Sequence, residues 1–134
     1  MTVVDTSAVV DFLLGAGVAE QVEALMVDEG ELSAPDLLVF ETLAVLRRAV
    51  GRDRLSGARA HAAVEDLGDM PIELFSTLSL RGRAWELRRN VTAADALFIA
   101  LAEGVGEPLA TKDTALATAA ERHADVQAVR LGGV

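Results

Sequence analysis

Two aspartates of this 134-residue chain stand just where an apolar run stops: Asp5 directly after residues 2–4, and Asp113 two residues beyond 109–111. Two further acids lie inside segments of helical spacing. Glu41 has Leu37, Ala44 and Val45 at the neighbouring turns, and Asp95 has Val91, Phe98 and Ile99, so both sit on stripes expected to face a core. An ionised carboxylate taken out of water is costly unless it is paired or bound to a cation. Each acid has an ordinary explanation when taken alone. An Asp at a strand-to-helix junction caps the helix, and Thr92 to Asp95 fits capping-box spacing; Glu41, well inside its helix, has less of an excuse. Should the four meet, other chemistry opens. Like charges roughly 4 Å apart repel by about 4 kcal/mol at an effective dielectric of about 20, so the group raises its own pKa values or captures a cation. An oxygen-only donor set selects hard divalent ions, Mg²⁺ or Mn²⁺, over zinc. Such ions activate water and neutralise charge on a phosphate during in-line displacement. Thr6, Ser7 and Thr111 flank the acids as neutral donors, although each also suits a turn or a cap.

The elements that must position these groups alternate. Short apolar runs at 2–4, 31–35, 71–75, 107–111 and 126–131 read as strands. Between them, helical spacing covers 7–14, 18–28, 36–51, 56–66, 78–89, 91–103 and 114–121. Gly15, Gly17 and Gly30 supply stops, and Thr92 is a capping residue. In the helix beginning at Asp36, the spacing turns Leu37, Phe40, Leu43, Ala44 and Leu46 inward and leaves Arg47 and Arg48 near the C-terminal end, where cations suit the dipole. Strands separated by helices imply crossover connections, hence a mainly parallel sheet with helices on both faces: a three-layer α/β/α sandwich in one domain, 1–134. Ligands of such sheets bind beyond the C-terminal ends of the strands, the edge at which Asp5 and Asp113 both stand.

Composition narrows the options. With no cysteine, neither a disulfide framework nor a thiolate metal site is possible, and a reducing cytoplasm is the expected compartment. Charge interrupts every apolar stretch well before the length of a membrane span. The net charge of −9 is unevenly spread: −9 over residues 1–46, +3 over 47–89 and −3 over 90–134. An acidic chain argues against phosphate-rich partners in general, yet Arg47, Arg48, Arg88 and Arg89 belong to two arginine groups able to form local patches for RNA or a protein partner. Trp85, between Arg83 and Arg88, is expected to be buried against a neighbouring helix, with base stacking as the alternative. His61 and His123 read as surface residues.

The stretches DTS (5–7), PDLLVFE (35–41), TAADALFIALAE (92–103) and LATKD (109–113) occur in this order over nearly the whole length. With them the chain resembles the PIN-domain family, and within it the VapC toxins of bacterial toxin–antitoxin pairs. The resemblance implies a metal-dependent ribonuclease whose acids are Asp5, Glu41, Asp95 and Asp113, with Mg²⁺ or Mn²⁺ as cofactor and RNA as substrate. It further implies a cognate VapB-like antitoxin and a homodimer. The chain departs from the family's pattern in two places: Ala94 stands where many relatives have an aromatic residue, and Thr114, Ala115 and Leu116 offer no additional acid after Asp113.

Three other readings compete. A receiver-like Mg²⁺-binding signalling domain needs paired acids after the first strand and an Asp after the central one, but Asp5 is followed by Thr6 and the run at 71–75 by Ser76. A haloacid-dehalogenase-like phosphatase would want Asp at position 7, which is Ser7. A PIN fold kept as an RNA- or protein-binding module without catalysis has no need of all four acids.

Overall fold

β1 (Val3–Val4) is only two residues long, yet it lies at the centre of the molecule. The computed structural model describes residues 1–132; Gly133 and Val134, the end of the expected 1–134 domain, lie outside the described residues. After β1 come α1 (Thr6–Leu14), α2 (Ala19–Glu29), β2 (Leu32–Pro35), α3 (Leu37–Gly51), α4 (Gly57–Asp69) and β3 (Ile72–Phe75). The second half comprises α5 (Thr77–Glu86), α6 (Ala93–Val105), β4 (Leu109–Thr111), α7 (Thr114–His123) and β5 (Ala128–Arg130).

The strands form one sheet in the order β3-β2-β1-β4-β5, and every pairing is parallel. Parallel neighbours cannot be joined by a tight turn, so each connection crosses a face of the sheet through helices. With right-handed crossovers, the run from β1 to β3 lays α1–α4 on one face and the return to β4 and β5 lays α5–α7 on the other. Arg83 of α5 ties the second layer together, donating to Glu103 of α6 and to the carbonyl of His123 at the end of α7. The expected three-layer α/β/α sandwich is the observed one. The receiver-like alternative is set aside, because that fold has the order β2-β1-β3-β4-β5.

The core explains why so short a strand suffices. Val3, Val4, Leu32, Ala34, Leu109 and Ala110 are fully buried, as expected for strands covered on both faces. α6 is apolar on nearly all sides and buries Ala96, Phe98, Ile99, Ala100, Leu101 and Ala102 across β1, β2 and β4. Its first turn, which carries Asp95, is therefore anchored at the middle of the sheet. No helix among the described residues is long and apolar enough to cross a membrane.

Several local expectations need correction. In α3 the buried residues are Leu38, Thr42 and Leu46, while Phe40 and Leu43 are 68% and 44% exposed. The segment 37–46 is apolar almost all round, so its spacing does not single out the stripe that packs. The Glu41 neighbours Ala44 and Val45 accordingly face a cleft rather than the core. α5 ends at Glu86 instead of Arg89, because Leu87, 2% exposed, turns into the core and residues 87–90 form turns. α6 begins at Ala93, with Thr92 as its cap. Trp85 is 67% exposed, not buried.

Candidate active site

β1 and β4 are hydrogen-bonded neighbours, with Val4 opposite Ala110, and the chain leaves them in opposite directions across the sheet. This is the topological switch point, where open α/β sheets form a crevice. Asp5 follows β1 and caps α1; Asp113 follows β4 and caps α7. Two helix N-termini thus open on the same crevice.

Three hydroxyls hold the acids in place. Thr111 Oγ1 donates to Asp5 Oδ2 at 2.6 Å and accepts the Asp113 backbone N–H at 2.9 Å, so one side chain links the ends of β1 and β4. Ser7 Oγ donates to the Asp5 carboxylate at 3.1 Å, and the Ala8 N–H reaches Asp5 Oδ1 at the same distance. Thr6 Oγ1 donates to Glu41 Oε1 at 2.6 Å, joining α1 to α3. Asp113 Oδ1 accepts the N–H groups of Ala115 and Leu116. The Asp95 N–H donates to Thr92 Oγ1 at 3.2 Å, which leaves the Asp95 carboxylate free of that cap.

Electrostatically the other three acids act on Asp95, and Asp113 acts on Asp5. Burial lifts the Asp5 carboxyl above its ordinary value; the hydrogen bonds from Thr111, Ala8 and Ser7 oppose the lift, and the charge of Asp113 adds to it. Asp95, half-buried, is raised by burial first and then by the charges of Asp113, Asp5 and Glu41, with Thr92 pulling the other way. Among the described residues none of the four has a salt-bridge partner. The centre therefore gathers negative charge without neutralising it.

That donor set is oxygen only and suits a hard divalent cation. Among the described residues no three His, Asp or Glu side chains are drawn together as a ready-made cage. Mg²⁺ does not require one, since it keeps several waters and takes only one or two carboxylates. The residues present fit a hydrated ion, with the four carboxylates available to hold it or its waters.

Cations flank the acids on two sides. A cleft of about 620 Å³ is lined by Thr6, Ser7, Glu41, Arg48 and Lys112 among others, and one of about 470 Å³ by Arg88, Arg89, Thr92 and Asp95 among others. Of the anticipated arginines, Arg48, Arg88 and Arg89 thus border the acidic centre, whereas Arg47 is exposed outside both linings. The sequence reading missed Lys112 and Asp11. Lys112 Nζ donates to Asp11 Oδ2 at 2.7 Å, and both line the larger cleft. The available signal was position: the only lysine of the chain stands between Thr111 and Asp113. His61 is exposed on α4 beside Glu65, and His123 ends α7; neither lines these clefts.

Comparison with known proteins converges on one family. The family model described as PIN domain matches residues 2–122. Ribonuclease VapC1 of Mycobacterium tuberculosis is 39% identical over 129 residues, covering 96% of this chain and 97% of that protein. Ribonuclease VapC9 of the same organism is 33% identical over 129 residues, covering 96% and 98% respectively. Among solved structures, the crystal structure of PAE2754 from Pyrobaculum aerophilum superposes with a TM-score of 0.67 at 21% identity, covering 88% of this chain and 78% of that one, a likeness of fold.

Proposed function

Because the chain belongs to the PIN-domain family, in its VapC branch, we propose that it is a metal-dependent endoribonuclease, the toxin of a type II toxin–antitoxin pair, and that it hydrolyses RNA phosphodiester bonds. The observation that carries this reading is the set of coupled carboxylates at the β1/β4 crevice. Asp5 and Asp95 are both raised by burial and by neighbouring acids, and among the described residues no cation pairs with them. Such an arrangement costs stability unless a cation is supplied from outside.

Asp5, Asp95, Asp113 and Glu41 would hold Mg²⁺ or Mn²⁺, which when bound supplies a neutralising charge for the scissile phosphate and an activated water. The rest of the site's work falls to the chain. Thr111, Ser7 and the Ala8 N–H fix the Asp5 carboxylate so that it cannot turn away from the crevice. Thr6 orients Glu41 from the adjacent helix. Arg48 and Lys112 on one side, and Arg88 and Arg89 on the other, offer cationic contacts to the phosphates flanking the cleaved bond. A VapB-like antitoxin, a second copy of the chain and a cytoplasmic setting complete the proposal; it is supported by the likeness to proteins named as VapC ribonucleases.

The test uses purified wild type, Asp5→Asn and Asp95→Asn with RNA, in Mg²⁺, in Mn²⁺ and in chelator. Wild type is expected to cleave only with a divalent ion, and both variants to fall to background while their circular dichroism stays native. Undiminished cleavage by the folded variants would sink the assignment.

A further inference from the structure

The chain contains one tryptophan and no tyrosine. That tryptophan, Trp85, is 67% exposed on α5. A lone exposed apolar side chain is unremarked in most proteins, but this one is braced. Arg88 lies over the indole with its guanidinium carbon 4.5 Å from the ring centroid, and its Nη1 donates to the Trp85 carbonyl at 2.9 Å. The pair is a cation–π contact closed into a loop by a backbone hydrogen bond, which favours this orientation of the ring.

The surroundings extend the observation. Trp85 lines a groove of about 230 Å³ together with Arg81, Arg88, Val91 and Leu97. Arg88 and Val91 also line the neighbouring cleft that contains Asp95 and Arg89. An aromatic face, three arginines and one of the candidate catalytic acids therefore follow one another along a continuous track. A cationic groove interleaved with an aromatic ring is how proteins hold single-stranded nucleic acid, because every unpaired base offers a π face and every linkage a phosphate. A duplex offers free base faces only at its two ends.

We propose that Trp85, braced by Arg88, stacks on an unpaired base of the RNA substrate and positions the strand so that a nearby phosphate enters the cleft at Asp95. The ligand's identity rests on the ribonuclease reading; the platform itself rests on the geometry of Trp85 and Arg88. Trp85 contacts substrate in this account but takes no part in bond cleavage.

Emission from the wild-type protein reports Trp85 alone, which makes the test direct. In chelator, so that nothing is cut, the protein is titrated with a single-stranded oligoribonucleotide of about a dozen residues, and separately with the same strand annealed to its complement. Saturable quenching by the single strand, and much weaker quenching by the duplex, is expected. By anisotropy of an end-labelled strand, Trp85→Ala should bind about ten-fold more weakly, with Trp85→Phe recovering most of the loss. In Mg²⁺, Trp85→Ala should raise KM with little change in kcat. Three results would overturn the proposal: binding without quenching, unchanged affinity in Trp85→Ala, or emission that follows protein concentration but not RNA, which would seat the indole on a second copy. Quenching by RNA in a wild type that cuts none with either metal would refute the ribonuclease reading and leave the stacking platform standing. Cleavage without quenching would do the reverse.

Discussion

Asp95 feels three other carboxylates and is raised above its ordinary value of 3.8, with burial the first cause. The consequence for stability has a definite sign. Below 3.8 the group carries its proton in both the folded and the unfolded chain and contributes no difference. As the pH rises past that value the unfolded chain releases the proton first, so unfolding gains ground until the folded group has ionised as well. Asp95→Asn cannot ionise and escapes this penalty. In chelator, its advantage in Tm over wild type should be smallest below pH 3.8 and widen as the pH rises past that value; a difference that narrowed with rising pH would contradict the raised value. Groups shifted the other way, such as Glu103 beside Arg83, are common to both proteins and cancel from the comparison.

At the scale of elements, α3 decides which arginine meets the crevice. Glu41, Ala44, Val45 and Arg48 follow one another at helical spacing and line the same cleft, whereas Arg47 is turned about 100° round the axis. Charge reversal at Arg48 should therefore weaken RNA binding and lower its salt slope by about one. The same change at Arg47 should do distinctly less, as measured by affinity across a salt series. Equal effects would mean that RNA does not use this cleft. The contrast also shows what the sequence could convey. Strands, helices and their alternation were legible because apolar runs and caps are local signals, and Asp5 and Asp113 were legible as strand-end residues for the same reason. The face of α3 was not, since residues 37–40 are apolar without interruption and the stripe that packs has the polar Thr42 at its centre. Nor was the exposure of Trp85, whose size argued for burial but which lies at the surface with Arg88 over its ring. The hydroxyl that each acid would recruit lay beyond reach as well, because Thr6 meets Glu41, and Thr111 meets Asp5, only after the sheet has formed.

Across the whole molecule, the net charge of −9 conceals a division of labour. The acidic first third supplies Asp5 and Glu41, and the arginine-rich middle places Arg48 in the cleft with Glu41, and Arg88 and Arg89 in the cleft with Asp95, so an acidic chain still presents cations where a phosphate would lie. The stability of the apo protein should then depend on divalent ions more than on monovalent salt. Mg²⁺ at about 100-fold over its Kd should stabilise wild type by about 2.7 kcal/mol. Asp5→Asn should gain little under the same conditions, with thermal unfolding at matched ionic strength as the check. The link between β1 and β4 has one more consequence, which concerns time. The Thr111–Asp5 bond spans 106 residues, and β1 sits between a partner made early, β2, and one made late, β4. A chain emerging from the ribosome can pair β1 with β2, and β2 with β3, while the other flank of β1 is still bare. Throughout that interval Asp5 lacks Thr111, and Asp113 has no place beside it until β4 docks. The carboxylate centre is thus among the last features to come into being, and a nascent chain carries no assembled site until β4 has docked.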